Sequence, residues 1–479
     1  MSWPRARLAS LTLSLALAAC AGGPSSQQAT APRGADVAVS VGPFRWHVPE
    51  ARTPTTGAVA APRPRLGPGP LAGFFTELAA LERGTRKEPL LILQLGDSHT
   101  AGDRFSGRLR ERFQGQFGAA GRGQLPPAVP FDYFRPQGVQ VTASPGWIIS
   151  KAGALKPEGL FGVSGFRARA TKPGDRASLT STEEAGFDTL LLTVLRQPLG
   201  GTLELEIDGQ RLPPISTAAE TGPQVARVQI PVPPGSRQAV LTARADGPTD
   251  LLAWGPQRQQ PGIVLEAHGT VGATVKLVRR FDPATAAFEL ADRRPDLILL
   301  AFGTNEGFQD GWTAETYAAE AAGAVADLRR LAPGVDIAVI GPPDGNRLAS
   351  SSGCSPAATR QCLVPGQPMP PPPAVKPGAK PPAKKPAAAC RWVIPPNLGM
   401  VRQTLTGIAQ KERLFFWDWS QVMGPCGANA WALQDPPLAG SDRVHYRPEG
   451  YARAADALYD QMMAEYAAWK LTVSGVAQQ

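Results

Sequence analysis

Apolar residues along the chain follow two different patterns, and the first predicts a parallel sheet. In residues 90–95, 296–302, 336–340 and 414–419 the apolar run is nearly continuous, as is typical of strands buried on both faces of a parallel sheet. Helical periodicity occupies residues 314–331, 397–412 and 448–470. Strands that alternate with amphipathic helices predict an α/β domain in three layers.

The second pattern lies between these segments and predicts antiparallel structure. Short β-like runs occupy residues 189–195, 202–207, 225–230 and 238–243, with turn signals such as Asp208-Gly209 between them. Several short strands without a helical stretch predict a β-sandwich. We therefore expect residues 151–260 to form a sandwich inserted into an α/β domain made of residues 71–150 and 261–479. Two folded units suit a chain of 479 residues.

The first residues resemble a lipoprotein signal peptide. Arg5 and Arg7 precede an apolar stretch that ends at Leu17-Ala18-Ala19-Cys20, and this stretch is too short to span a bilayer core of ~30 Å. We predict that residues 1–19 are removed and that Cys20 is lipidated. An ordinary secretory signal is the alternative. The protein is then extracytoplasmic and lipid-anchored, at the outer membrane or periplasm if the source is Gram-negative.

Residues 20–70 are rich in Pro, Ala and Ser and predict a tether. Phe44 and Trp46 alternate with polar residues inside it, which allows a short strand that docks on the main body. Residues 364–389 are almost all Pro, Ala, Lys and Gly and predict a disordered loop. Its lysines, and the net charge of +9, favour an anionic polymer as partner, although such a run is more often only a solvated insertion.

Beyond Cys20 the cysteines are even in number, and they are Cys354, Cys362, Cys390 and Cys426. An even set in an exported protein suggests two disulfides, with three pairings open. A zinc site is the alternative, but no Cys-x-x-Cys pair occurs among them. We therefore expect no metal.

Candidate chemistry is concentrated in three short patches, which are Gly96-Asp97-Ser98-His99-Thr100, Gly303-Thr304-Asn305-Glu306 and Asp442-Arg443-Val444-His445. A serine hydroxyl needs a base to become a nucleophile, and the base needs a group that orients it. Ser98, His445 and Asp442 can fill these roles. Ser98 and Asn305 follow predicted strands at their carboxyl ends, where open α/β sheets bind ligands.

The remaining histidines are weaker candidates for the base. The chain has four in all. His99 is expected to point away from Ser98 if the turn is helical, so we interpret it as structural. His47 lies in the tether and His268 lies beside a pair of glycines. His445 is therefore the expected base.

These patches resemble the blocks of the SGNH, or GDSL-type, hydrolases, which are Gly-Asp-Ser, a glycine, Gly-x-Asn and Asp-x-x-His in this order. The glycine block falls at residues 268–273, where Gly269 and Gly272 are both available; Gly272 is preferred because Ala273 follows it, while Val271 replaces the family's asparagine. The resemblance implies a flavodoxin-like three-layer fold without a cofactor. It also implies an oxyanion hole formed by Ser98, Gly272 and Asn305.

An inserted sandwich at this place, with the GDSHTAGD form of the serine block, resembles the peptidoglycan O-acetylesterases that carry a carbohydrate-binding-module-like insert. The resemblance implies a serine esterase that removes O-acetyl groups from a cell-envelope polysaccharide, expected to be peptidoglycan acetylated at the C6 hydroxyl of muramoyl residues. Its partners would be this polymer and, through Cys20, a membrane, but no nucleic acid.

Four alternative hypotheses stay open at this point. In the first, the substrate is another polysaccharide, such as an alginate, or a lipid ester. In the second, the protein is an O-acetyltransferase with the same residues, and in the third it is a non-catalytic polysaccharide-binding protein. In the fourth, the sandwich serves only a structural or dimerising role, since a fold does not fix a function.

Overall fold

The computed structural model describes residues 39–41, 44–49, 64–348, 392–424 and 427–476. The predicted signal peptide, the lipidation site Cys20, the loop at 364–389 and the four candidate disulfide cysteines lie outside these residues and stay predictions; the cysteines are Cys354, Cys362, Cys390 and Cys426. No helix within the described ranges is long and apolar enough to cross a membrane.

The strands, numbered in chain order, are β1 Val39–Val41, β2 Phe44–His47, β3 Leu90–Gly96, β4 Val139–Ala143, β5 Trp147–Lys151, β6 Phe166–Ala170, β7 Arg176–Ser181, β8 Phe187–Arg196, β9 Thr202–Ile207, β10 Gln210–Ser216, β11 Gln224–Ser236, β12 Gln238–Ala243, β13 Thr249–Gln257, β14 Ile263–Gly269, β15 Leu297–Ala301, β16 Asp336–Gly341, β17 Arg347–Leu348, β18 Trp392–Val393 and β19 Phe415–Asp418.

The helices are α1 Ala72–Glu82, α2 Ser98–Ala101, α3 Arg104–Phe117, α4 Pro283–Arg293, α5 Thr304–Phe308, α6 Ala314–Leu331, α7 Pro396–Glu412, α8 Ser420–Met423, α9 Gly427–Ala432 and α10 Pro448–Val476, with a 3-10 helix at Val275–Arg280. Helix α4 shows why one of them begins where it does. Pro283 occupies its first turn, and the Asp282 carboxylate accepts the N–H of Thr285 at 2.8 Å.

A five-stranded parallel sheet forms the centre of the α/β domain, in the order β14-β3-β15-β16-β19. Numbered along the chain, this order is 2-1-3-4-5, the flavodoxin-like arrangement. The four predicted strands are present. Strand β14 was not predicted, although its residues are buried throughout. The predicted α/β fold class with a parallel sheet is confirmed.

Both faces of this sheet are covered by helices, which explains the continuous apolar runs. Along β3, Ile92 packs into a core shared with α1, α3 and α10, whereas its neighbour Leu93 packs into the core shared with α4, α6 and α7. Successive side chains of a strand point to opposite faces, so both must be apolar. Burying a leucine or isoleucine side chain stabilises a fold by about 1.5–3 kcal/mol.

The predicted β-sandwich is also present. A seven-stranded sheet, β1-β2-β11-β8-β13-β6-β5, faces a five-stranded sheet, β10-β9-β12-β7-β4. Inward side chains from both sheets form one core, in which Trp254 and Leu192 of the first sheet share a cluster with Leu205 and Leu241 of the second.

The structure corrects two predicted boundaries. Strands β4 and β5 already belong to the sandwich sheets, so the sandwich begins at Val139 and not at residue 151. Residues 39–41 and 44–47 of the predicted tether supply the antiparallel strands β1 and β2, and β2 pairs with β11 through Trp46 and Val228. Phe44 and Trp46 are buried in the sandwich core. Strand β4 was not predicted because polar residues interrupt its apolar pattern. Strand β2 was not assigned to the sandwich because its place depends on pairing with β11, a strand distant in the sequence.

Candidate active site

Ser98 lies in a sharp turn between β3 and α2, at the carboxyl end of a central strand of the parallel sheet. Gly96 allows the turn, since a Cβ atom there would lie 2.1 Å from Thr100 Oγ1 and 2.7 Å from the Ala301 carbonyl oxygen. The Asp97 carboxylate then accepts the N–H of His99 at 3.0 Å and caps the short helix. The turn therefore leaves Ser98 as the first residue of α2.

His445 connects Ser98 to Asp442. His445 Nε2 lies 2.9 Å from Ser98 Oγ, and its Nδ1 lies 2.7 Å from Asp442 Oδ2. The other oxygen of Asp442 accepts the backbone N–H groups of Val444 and His445, each at 3.1 Å. Because the carboxylate only accepts hydrogen bonds, Nδ1 carries a proton and Nε2 is left to accept the hydroxyl proton of Ser98.

The hydrogen bond between Asp442 and His445 shifts the pKa of both side chains in the direction that favours an anionic carboxylate and a protonated imidazole. The hydrogen bond to Asp442 raises the pKa of His445 above its ordinary value, although partial burial opposes the shift. For Asp442, burial raises the pKa, but the hydrogen bonds from the His445 ring and the two backbone N–H groups outweigh it and lower the pKa to about 2. Asp442 is thus an anion throughout the neutral range, where it can stabilise an imidazolium.

His99 packs behind His445 and makes no hydrogen bond to Ser98. Its ring centroid lies 5.3 Å from that of His445, and it stacks on Tyr446 at 5.5 Å. Its Nδ1 lies 2.9 Å from the hydroxyl of Tyr451. Burial lowers the pKa of His99 to about 3, which keeps it neutral beside the candidate base. The sequence analysis did not predict these aromatic contacts around His99. The position of Tyr446 directly after His445 was the feature of the sequence that could have indicated them.

Asn305 lies on α5, which follows β15 directly. Gly303, with φ of 128°, turns the chain between the two elements. Asn305 Nδ2 donates one hydrogen bond to the carbonyl oxygen of Ala273 at 2.8 Å. An amide nitrogen carries two protons, so the second is available to a ligand.

The structure separates the two candidate glycines. Gly269 ends β14 and is packed against α2, since a Cβ atom there would lie 2.0 Å from Ala101 N. Gly272 has φ of 75°, and a Cβ atom there would meet nothing within 4 Å. It therefore borders open space in a conformation that suits glycine. This geometry favours Gly272 as the oxyanion glycine, and its role stays a prediction.

The other sequence candidates lie apart from this group. His268 is buried in β14, where burial lowers its pKa to about 4. His47 of β2 lies beside Asp292, with 2.9 Å between His47 Nδ1 and Asp292 Oδ1. In the part of the chain that the structure describes, no group of three or more His, Cys, Asp or Glu residues could hold a metal ion.

This arrangement can perform acyl transfer. Neutral His445 can accept the proton of Ser98 as the hydroxyl oxygen attacks a carbonyl carbon, and Asp442 can stabilise the imidazolium that results. The N–H of Ser98, at the first position of α2, has no intrahelical acceptor and can donate to an oxyanion.

Residues 241–453 match the model of the GDSL-like Lipase/Acylhydrolase family. The chain thus carries an acylhydrolase domain of this family, and the resemblance to SGNH hydrolases is confirmed. The matched residues include Gly272, Asn305, Asp442 and His445 but stop short of Ser98, which precedes the inserted sandwich. Comparison with curated proteins gives no match.

Comparison with solved structures supports the fold through one match with a TM-score above 0.5. A structure of a peptidoglycan O-acetylesterase in action superposes with a TM-score of 0.63 at 24% identity, covering 84% of this chain and 97% of that one. A family two carbohydrate esterase from Clostridium thermocellum with cellohexaose matches at 10% identity and a TM-score of 0.26, covering 67% of this chain and 99% of that one. A score this low supports no inference.

Proposed function

We propose that this protein is a serine esterase that removes O-acetyl groups from a cell-envelope polysaccharide, with peptidoglycan acetylated at the C6 hydroxyl of muramoyl residues as the substrate. The observation that carries the proposal is the continuous hydrogen-bonded series from Asp442 through His445 to Ser98. It lies in a GDSL-like acylhydrolase domain, with Asn305 and Gly272 as candidate oxyanion donors.

One feature of the site supports a bulky polymer as substrate. The side chains of His445 and Asp442 are 46% and 50% exposed, so the site is shallow and open to a large substrate.

The likeness to a peptidoglycan O-acetylesterase supports the choice of polymer, since the superposition extends over 84% of the chain. The resemblance of the inserted sandwich to a carbohydrate-binding module is compatible with a polysaccharide substrate. The net charge of +9 is compatible with an anionic wall.

The reaction proceeds in two steps. His445 removes the proton of Ser98 as Oγ attacks the acetyl carbonyl carbon, and the oxyanion accepts hydrogen bonds from the N–H groups of Ser98 and Gly272 and from the amide of Asn305. His445 then protonates the leaving sugar oxygen, and an acetyl-serine remains. Water attacks this ester with His445 as base, His445 returns the proton to Ser98 Oγ as the acyl bond breaks, and acetate leaves.

The test is release of acetate from O-acetylated peptidoglycan by the purified protein, with the Ser98→Ala variant and acetylated xylan and alginate as controls. We expect release from peptidoglycan that the variant does not show. Release only from the controls would discard the wall substrate and keep the esterase. Absence of release from every polymer would favour transfer or simple binding.

We also propose an extracytoplasmic location with a lipid anchor at Cys20. The sequence at residues 17–20 supports it. Cys20→Ala should move the protein from the membrane fraction to the soluble one. Unchanged fractionation of that variant would refute the anchor.

A further inference from the structure

Two adjacent residues of α5 hold the loop that contains Gly272. Asn305 Nδ2 donates to the carbonyl oxygen of Ala273 at 2.8 Å. Its neighbour Glu306 accepts the backbone N–H of Val275 on Oε1 at 2.7 Å. The loop is therefore fixed to α5 at two backbone points, immediately after Gly272.

Glu306 occupies an unusual place for a carboxyl group. It is completely buried, and within the described residues its Oε2 has no hydrogen-bond partner. Burial raises the pKa of Glu306 to about 7, against the opposing effect of the Val275 N–H. Removing a carboxyl group from water destabilises a fold relative to an apolar side chain of similar volume. Stability alone therefore does not account for this residue.

A role in aligning the donors of an oxyanion hole would explain why a carboxyl group is buried at position 306. Its donors accelerate a reaction only when they are already aimed at the position that the oxyanion will occupy. Asn305 extends from helix α5, whereas Gly272 lies in a loop with open space beside it. The contact between Glu306 and Val275 ties that loop to the helix that bears the other donor.

We propose that Glu306 is a positioning residue, whose carboxyl group holds the loop at residues 272–275 so that the Gly272 N–H and the Asn305 amide converge on one oxyanion. Glu306 does not touch the substrate and acts through Val275. This proposal rests on the proposed esterase function and adds a residue to its machinery.

The test compares two substitutions of similar size in the full-length protein. Glu306→Gln keeps a carbonyl oxygen that accepts the Val275 N–H, whereas Glu306→Leu fills the space without an acceptor. With 4-nitrophenyl acetate as substrate, we expect Glu306→Leu to lower kcat about 10- to 100-fold, the size of effect that a misplaced catalytic group produces. KM should change less than about twofold, because oxyanion donors act in the transition state. Glu306→Gln should retain most of the activity.

A double variant separates positioning from a merely structural effect. If Glu306 acts by aligning the oxyanion donors, then Asn305→Ala combined with Glu306→Leu should cost less than the product of the two single losses. Fully multiplicative losses would overturn the proposal. Equal activity of Glu306→Leu and Glu306→Gln would overturn it too, with the esterase function intact. Wild-type protein without Ser98-dependent turnover would overturn both proposals.

Discussion

The parallel sheet and the β-sandwich are both built from buried strands, yet the candidate catalytic residues Ser98 and Asn305 both follow strands of the parallel sheet. In the parallel sheet, β3 and β15 run in the same direction as neighbours, so their carboxyl ends bring Ser98 and Asn305 to one edge. Sandwich strands alternate in direction, and a buried charged group among them forms a structural ion pair. Arg169 donates to both oxygens of the buried Asp250 at 2.8 and 2.6 Å. Strand direction thus decides where reactive groups can gather.

The largest effect on turnover should come from Ser98, because it supplies the nucleophile. We predict that Ser98→Ala lowers ester hydrolysis by about 10⁴-fold or more. The melting temperature should be nearly unchanged, since Ser98 Oγ forms its hydrogen bond with the half-exposed His445. Kinetics with a soluble acetate ester and thermal melting test both points. Residual hydrolysis near the wild-type rate would refute the assignment.

Asp442 should come next, because it sets the protonation of His445. We predict that Asp442→Asn lowers kcat/KM by about 10²- to 10⁴-fold. In the wild type, kcat/KM should rise with pH as His445 loses its proton, with a midpoint above 6.5, since the hydrogen bond to Asp442 raises that pKa. Without the carboxylate, the midpoint should move to lower pH. Because the pKa of Asp442 is about 2, its own titration should cause no further change in kcat/KM between pH 4 and 8. A flat pH profile would exclude His445 as base.

Asn305 should matter less, because it is one of several oxyanion donors. We predict that Asn305→Ala lowers kcat by about 10²- to 10³-fold, with a much smaller effect on KM. The hydrogen bond to the Ala273 carbonyl is lost in the same variant. Asn305→Asp, which keeps the size and removes both N–H donors, serves as the matched control and should be at least as impaired. If both variants kept the kcat of the wild type, Asn305 would not be a donor to the oxyanion.

The sandwich should show the opposite behaviour, with a large effect on stability and the smallest on turnover. Trp254 of β13 is completely buried in the sandwich core. Trp254→Ala should lower the free energy of unfolding by about 3–5 kcal/mol, and the kcat of the protein that remains folded should be unchanged. The control Glu204→Gln, at a half-exposed ion pair with Arg244, should cost less than about 1 kcal/mol. A fall in kcat in Trp254→Ala would mean that the sandwich participates in the chemistry.

The same contrast explains which features of the structure could be predicted from the sequence. Continuous apolar runs predicted the parallel sheet, and local motifs that follow strands predicted the residues that the structure brings together. Asp442 and His445 are three positions apart, so their contact is a local property. The catalytic roles themselves stay predictions until the variants are measured.

Features that depend on distant partners were not predictable. Strand β14 is recognisable only once it pairs with β3. Strand β2, at residues 44–47, is stabilised by pairing with β11, which lies far along the chain. Glu306 acquires its proposed role from the backbone of Val275, a contact that no spacing rule indicates. Burial and backbone hydrogen bonds, unlike motifs, become visible only in three dimensions.

The central claim, that Ser98 is a nucleophile activated by His445, is tested most directly by covalent labelling. The protein is treated with a fluorophosphonate that modifies activated serines, and the adduct is located by peptide mass spectrometry. We predict a single adduct on Ser98 in the wild type, and at least about 100-fold slower labelling in His445→Ala, whose serine lacks its base. An adduct on another residue, or equally fast labelling of Ser98 without His445, would contradict the account.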